Sequence, residues 1–309
     1  MIPQFKSLTE MTARFPDEQS CIDHLTEVRW RDGKFCPHCG GFEKIYTFKD
    51  NRTHKCGDCR LKFSIKVGTI FEDSKVPLQK WFVAIYLITA HKKGISSVQL
   101  GKDVGVTQKT AWFMNHRLRE ATKTEAFKQP LKNTVEVDET YVGGKARNMH
   151  KDKRERLGGR GTVGKEIAVA MVERGGDVRT FHVQNTQRPT LQNLVKANVA
   201  LGTAVNTDEH AGYQGLGAFY VHGSVNHVGG TYAIGNVHTN TVEGFFSIFK
   251  RGIFGIYHQV SKKHLQRYLD EFSLRYNHRA EDNGAAFLSL LMNCNGRLTY
   301  KGLIADDTV

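Results

Sequence analysis

Two kinds of residue in this chain could do chemistry: paired cysteines, and carboxylates set among apolar neighbours. Cys36-Pro-His-Cys39 and Cys56-Gly-Asp-Cys59 are two C-x-x-C pairs separated by sixteen residues, 40 to 55. Each pair puts two thiolates on one tight turn, and four thiolates complete a tetrahedral Zn²⁺ site. A redox dithiol is the competing reading, but two matched pairs without a thioredoxin-like context speak against it. His38 and His54 could serve as ligands in principle, yet four cysteines already fill the site. Cys21 and Cys294 read as packing residues. Lys34, Lys44, Lys49, Arg52, Lys55, Arg60, Lys62 and Lys66 surround the pairs, with Phe42, Tyr46 and Phe48 interleaved. That mixture favours nucleic-acid contact over a purely structural role.

The carboxylates decide between binder and enzyme. In Thr134-Val135-Glu136-Val137-Asp138-Glu139-Thr140-Tyr141 the alternation puts Val135 and Val137 on one face and Glu136 and Asp138 on the other. Acids inside a Val-rich strand are costly unless exposed or bound to a cation. Asp208 ends the run Thr203-Ala204-Val205-Asn206-Thr207, and strand ends of α/β sheets collect catalytic groups. Glu243 stands in the first turn of an expected helix, and Lys250, seven residues on, shares its face. Each acid alone reads as a solvated surface group. Together, on two strands and a helix, they outline a site for Mg²⁺, which takes carboxylate oxygens and keeps waters for phosphate to replace.

The elements that must position these groups follow from periodicity. Short strand-like runs at Lys44–Phe48 and Phe63–Val67 flank the second cysteine pair. Pro77 suits a first helical turn, Leu78–His91 carries an apolar run, and Gly94 fits a stop. Thr134–Tyr141, Lys165–Glu173 and Val178–Gln184 read as strands, Thr190–Asn198 as a crossover helix and Thr203–Thr207 as a further strand. One helix begins near Thr241. Another, from Ser261 to about Asn277, places Leu265, Tyr268, Leu269, Phe272 and Tyr276 on one face. This order predicts a mixed α/β domain.

Between the ribbon and that domain, Ser96 to Trp112 has the texture of helix-turn-helix. Gly101 is small where two helices would cross, Gly105 sits at the turn and Thr107 can cap the second helix. That helix would present Gln108, Lys109, Asn115, His116 and Arg119 to a DNA groove; a helical hairpin packed inside the protein is the alternative. Gly143 to Lys165 is a basic Gly-rich loop directly after the Asp138 strand. Lys145, Arg154 and Arg156 within it are expected to clamp the DNA backbone, unless the loop is simply a solvated surface.

Composition agrees with a polyanionic partner: 44 Lys+Arg against 31 Asp+Glu leave +13 over 309 residues. The mixed, polar start lacks the apolar core of a signal peptide, and the apolar run Trp81–Ala90 is too short to cross a bilayer. The expectation is a cytoplasmic protein working at the bacterial nucleoid, with its cysteines reduced.

The strings Val137-Asp138-Glu139-Thr140-Tyr141-Val142-Gly143-Gly144-Lys145, Thr207-Asp208-Glu209 and Asn240-Thr241-Val242-Glu243-Gly244-Phe245-Phe246-Ser247 are joined by Lys250-Arg251-Gly252-Ile253, Tyr257-His258 and Arg275-Tyr276-Asn277. As a set, from about residue 15 to 280, this text resembles the DDE-type insertion-sequence transposases with an N-terminal zinc ribbon, a group related to the Merlin transposons. Thirty-four residues, 209 to 242, separate the second and third acids, similar to that family's spacing. The resemblance implies an RNase H-like catalytic domain in which Asp138, Asp208 and Glu243 hold Mg²⁺ (or Mn²⁺) and Lys250 lies near the DNA, with Arg251 beside it as a DNA contact. Relatives vary at the third position, and Glu136, Glu139 and Glu209 remain rivals.

The expected architecture is therefore multidomain α/β. Residues 1–72 form an N-terminal helix and zinc ribbon, 73–127 a helix-turn-helix-like segment, 128–285 the RNase H-like domain and 286–309 a tail. The expected function is a transposase that binds double-stranded DNA at its element's ends, cleaves it, and joins the freed 3′-OH to target DNA, as a homodimer or higher assembly. The rivals are an RNase H-like nuclease or resolvase without strand transfer, and a zinc-ribbon regulator that would leave the acids and Lys250 without a purpose.

Overall fold

The computed structural model describes residues 5–123, 129–144, 150–152, 155, 162–226, 229 and 233–305, which form two compact units. The expected backbone clamps Lys145, Arg154 and Arg156 lie outside the described residues.

The first unit opens with α1 (Leu8–Arg14) and α2 (Glu18–Arg29). Asp17 starts α2 with a capping box: its carboxylate accepts the Ser20 N–H, and the Ser20 hydroxyl accepts the Asp17 N–H. The ribbon follows as β1 (Ile45–Thr47), β2 (Thr53–Cys56) and β3 (Lys62–Ser64), an antiparallel sheet in that order. α3 (Leu78–Ala90) starts behind Pro77 and is buried over most of its surface. α4 (Ser97–Val104) and α5 (Gln108–Ala121) complete a three-helix arrangement with it. Gly105 closes α4 at φ +63°, where a side chain is strained, and Thr107 caps α5 by accepting the Thr110 N–H. A Cβ on Gly101 would lie 3.0 Å from the Val106 carbonyl oxygen, so the two helices cross at a residue that must be small.

The second unit is built on a five-stranded sheet. Its strands are β4 (Thr134–Val142), β5 (Glu166–Glu173), β6 (Val178–Val183), β7 (Ala204–Thr207) and β8 (Val221–Ser224), with α6 (Arg188–Asn198) crossing from β6 to β7. The order is β6-β5-β4-β7-β8: β4, β5 and β6 are antiparallel neighbours, while β7 and β8 run parallel to β4. This is the mixed sheet that the resemblance implied. A small hairpin, β9 (Ala233–Ile234) and β10 (Val237–His238), leads into α7 (Asn240–Gly252), and α8 (Leu265–Asn277) closes the unit. Val135, Val137, Val169, Met171 and Val205 pack on α6 at one face of the sheet. Ala168, Ala170 and Val172 pack under Val242, Phe245, Phe246, Phe249 and the apolar stripe of α8 at the other. Periodicity missed β8, whose Val-His-Gly-Ser sequence carries a single apolar residue, itself exposed.

The chain then returns to the first unit through α9 (Asn283–Met292) and α10 (Tyr300–Ile304). Phe287 fits among Phe5, Phe15 and Phe82, with ring centroids 5.3 to 5.9 Å apart. The Ile70 N–H donates to the Cys294 carbonyl at 2.9 Å. The expected boundary at 285 falls inside α9, and the compact units divide instead at Asn277, with the expected tail at 286–309 belonging to the first unit. The physical reason is an apolar α9 that needs a partner, and α3 supplies it.

Candidate functional site

The site starts from the centre of the sheet. β4 pairs with β7 so that Thr134, Val135 and Glu136 stand opposite Ala204, Val205 and Asn206. Continuing that register by two residues brings Asp208, just past the end of β7, level with Asp138. Partners in a parallel ladder point to the same side, so both carboxylates face α7. On its other flank Asp138 stands opposite Ala170, whose small side chain leaves the carboxylate room. Glu243 lies in the first turn of α7 over this face, its Oε1 accepting from the Thr239 hydroxyl at 2.8 Å.

The electrostatics of Asp138 reflect its burial first and the neighbouring acids second. Burial raises the Asp138 carboxyl to about 8, and the charges of Glu139, Asp208 and Glu243 add to the shift against one backbone hydrogen bond from Glu139. Like charges crowded in a poorly solvated place resist ionising together, and a divalent cation would relieve them. Carboxylates are the ligand type that Mg²⁺ or Mn²⁺ takes, but among the described residues the three acids do not draw together as tightly as the four cysteine sulfurs, which all lie within 4.8 Å of one another.

Two of the rival acids, Glu136 and Glu139, have other engagements. Glu136 is fully buried and accepts from the Thr241 N–H (2.7 Å), the Thr241 hydroxyl (2.8 Å), the Val242 N–H (3.0 Å) and Arg174 Nε (2.6 Å). It is the cap of α7, and a carboxylate is favoured at a helix N-terminus. Arg174 reaches on to the carbonyls of Asn236 and His238, tying in the β9–β10 hairpin. Glu139 points to the opposite face, where the buried Tyr213 hydroxyl donates to it at 2.7 Å and His210 Nε2 lies 3.8 Å away. Burial, with Asp208 assisting, holds the Glu139 carboxyl above its usual range in spite of the Tyr213 bond. The His210 backbone N–H donates to Asp208 Oδ1 at 3.1 Å. Tyr213 and His210 escaped the sequence reading; the string Thr207-Asp208-Glu209-His210-Ala211-Gly212-Tyr213 held the only signal for them.

α7 is amphipathic: Val242, Phe245, Phe246 and Phe249 are buried, while Glu243 and Lys250 are exposed. Arg251, also exposed, donates to the Ser247 hydroxyl at 2.8 Å.

In the ribbon, Cys36 Sγ lies 3.6 Å from Cys59 Sγ and Cys39 Sγ 3.7 Å from Cys56 Sγ, and all four sulfurs fall within 4.8 Å of one another. A Zn–S bond of about 2.3 Å requires tetrahedral sulfurs about 3.8 Å apart, so the cluster has the dimensions of a structural zinc site. The two knuckles match: Gly40 and Arg60, each following the second cysteine of its pair, take φ +77° and +61°. Neither histidine joins them. His38 Nε2 lies 3.4 Å from the Lys62 carbonyl, and His54 is buried against Trp30 and Phe63 with its Nδ1 bound to Thr47. Cys21 and Cys294 are buried, with burial raising both thiols, as packing residues should be.

Of the expected groove-facing residues of α5, Gln108 and Lys109 are exposed at its start, Gln108 donating to the Ser97 hydroxyl at 2.9 Å. Asn115, His116 and Arg119 are not presented: each is buried, to 2%, 1% and 1% exposure. The second half of α5 is an interior helix, with Asn115 donating to the Ile95 carbonyl and the His116 ring tilted against Trp112 at 4.4 Å.

Comparison with known proteins identifies the class as a transposase. Residues 130–277 match the ISXO2-like transposase domain, and residues 16–62 match the transposase zinc-ribbon domain. The chain is 31% identical over 274 residues to an uncharacterized protein in transposable element ISH50 of Halobacterium salinarum, covering 84% of this chain and 91% of that relative. It belongs to the IS1595 family of insertion-sequence transposases. Among the described residues, no helix is long and apolar enough to cross a membrane.

Proposed function

We propose that this transposase binds the ends of its element, cleaves a strand there and joins the 3′-OH to target DNA, with Asp138, Asp208 and Glu243 as the ligands of Mg²⁺ or Mn²⁺. What supports this reading is the register that sets Asp138 and Asp208 on adjacent strands, with Glu243 in the first turn of the covering helix near enough for its charge to act on Asp138. Bound there, divalent cations stabilise the attacking and leaving oxygens of an in-line displacement at phosphorus.

The chain's own residues do the rest. Glu136 holds α7 to β4 and so sets Glu243 against Asp138. Lys250 and Arg251, on the exposed side of α7, meet the phosphates that flank the scissile bond, and Lys145, Arg154 and Arg156 clamp the DNA backbone. Gln108 and Lys109, at the N-terminal end of α5, read the element's end, where a recognition helix makes its base contacts. The domain roles follow: ribbon and three-helix segment hold DNA, the sheet unit cuts and joins it, and two or more copies bridge the two ends.

The test is incubation of the protein with end DNA and Mg²⁺, scored for nicked and joined product. Asp138→Asn should abolish both products while end binding stays nearly intact. Normal joining by that variant would sink the assignment. Nicking without joining by the wild-type chain would favour the nuclease reading instead.

A further inference from the structure

The ribbon sheet has one covered face and one bare face. Its register sets Thr47, His54 and Phe63 side by side in one row, and Tyr46, Lys55 and Lys62 in the other. Trp30 closes the first row, its ring edge-on to His54 at 4.9 Å and to Phe63 at 6.3 Å. The second row lies open. Tyr46 is 60% exposed and Phe48, two residues along the same face, is 39% exposed.

This face is built rather than left over. A Cβ on Gly57 would lie 2.7 Å from Lys44 Cβ and 3.2 Å from Tyr46 Cε2, so the Tyr46 ring leans on a position that tolerates only glycine. Lys62 Nζ stands 5.1 Å over the Phe48 ring, a cation held above an aromatic face. Across the strands the row runs Tyr46, Lys55, Lys62 at the sheet's own spacing, about 4.8 Å between neighbours, with Phe48 beside Tyr46 along the first strand.

We propose that this face is a stacking platform for unpaired DNA bases, with Tyr46 and Phe48 taking base rings while Lys55 and Lys62 take phosphates. The lysines alone would suit any DNA backbone. The rings choose the form of DNA: in a duplex each base face is covered by its neighbours, and only an unstacked base can lie on a side chain. The proposal rests on the reading of the chain as a DNA-cleaving transposase, because cleavage at the element's end frees a strand terminus whose last bases can fray and unpair. It adds that the ribbon holds that strand, a role distinct from reading the duplex.

The experiment uses the full zinc-loaded chain and a fluorescein-labelled mixed-sequence 12-mer, single-stranded or as a duplex, followed by anisotropy. Alanine at an aromatic base-stacking position typically weakens single-strand binding roughly 5- to 150-fold. Tyr46→Ala and Phe48→Ala should each fall in that range on the single strand and change duplex affinity less than about twofold. Tyr46→Phe, which keeps the ring, should bind like the wild type, and zinc content measured for every variant shows that the ribbon is intact. Equal losses on both forms would overturn the proposal in favour of backbone contact. Unchanged affinity with a lower sedimenting mass would overturn it in favour of an interface between copies. Failure of the wild-type chain to bind the single strand would overturn it outright. The end-joining assay is independent: absence of joining sinks the transposase reading without altering these affinities.

Discussion

Glu136, the third residue of β4, accepts both the backbone N–H and the hydroxyl of Thr241, at 2.7 and 2.8 Å, across 105 residues of sequence. One carboxylate therefore ties the strand that carries Asp138 to the helix that carries Glu243. Two acids, two positions apart on the same strand face, have opposite circumstances: Glu136 has every need met by donors, whereas Asp138 faces other acids. Their substitutions should have opposite effects.

Glu136→Ala removes the cap of α7 and leaves the Arg174 guanidinium without its carboxylate. Losing one partner of a buried pair is strongly destabilising, here by about 3 kcal/mol. Glu136→Gln keeps an acceptor for the N–H groups and should cost less. Urea unfolding of the two variants measures the difference. Equal, near-zero losses would mean that α7 is held by its apolar face alone.

Asp138→Asn should stabilise the metal-free protein. Its carboxyl sits at about 8 in the fold against an ordinary 3.8. Between those values the folded chain keeps a proton that the unfolded chain has released, so this group's contribution to stability falls as pH rises through that window. The Asn variant escapes that loss. Its melting temperature should exceed the wild type's by a few degrees near pH 8, with the gap shrinking toward about pH 5. Saturating Mg²⁺ should close the gap at high pH by stabilising only the wild type. A gap independent of pH would contradict the clustering of charges.

What could be read from the residues, and what could not, divides along physical lines. The zinc site needs only four thiolates on two tight turns, and both turns are local, so spacing reveals it. The strands β4, β5 and β6 announce themselves by Val-rich runs. By contrast, alternation placed Glu136 and Asp138 on one face but could not rank them, because their difference lies in Thr241, Val242 and Arg174, all distant in sequence. Likewise Asn115, His116 and Arg119 are polar by type and buried by circumstance. Nothing near them in sequence tells that α5 becomes an interior helix after its second turn. The return of α9 to the first unit is of the same kind: its apolar residues show that it must pack, not on what.

Zinc removal should unfold the ribbon, since a structural metal site contributes its binding free energy to folding. Trp30 reports on this, for its ring packs on His54 and Phe63. The chain has three tryptophans, so Trp81→Phe and Trp112→Phe leave Trp30 as the single emitter. Chelation of zinc in that background, or Cys56→Ser, should shift its emission to longer wavelength. A zinc-free chain with unshifted emission would show that the ribbon stands without metal.

The two ends of α5 should respond in different currencies. Gln108 and Lys109 are exposed, so alanine at either should leave the melting temperature nearly unchanged. Asn115 donates from a buried site to the Ile95 carbonyl, and Asn115→Ala should cost about 1–2 kcal/mol of stability through an unpaired acceptor. On DNA the order reverses. Gln108→Ala should relax the preference for one base pair of the end by about 1–3 kcal/mol if its amide reads a base edge. Lys109→Ala should weaken all sequences alike and reduce the salt dependence by about one counterion. Competition binding with end DNA mutated one base pair at a time, at two salt concentrations, separates these outcomes. A Gln108→Ala variant with unaltered sequence preference would remove α5 from end reading and leave this segment a packed hairpin.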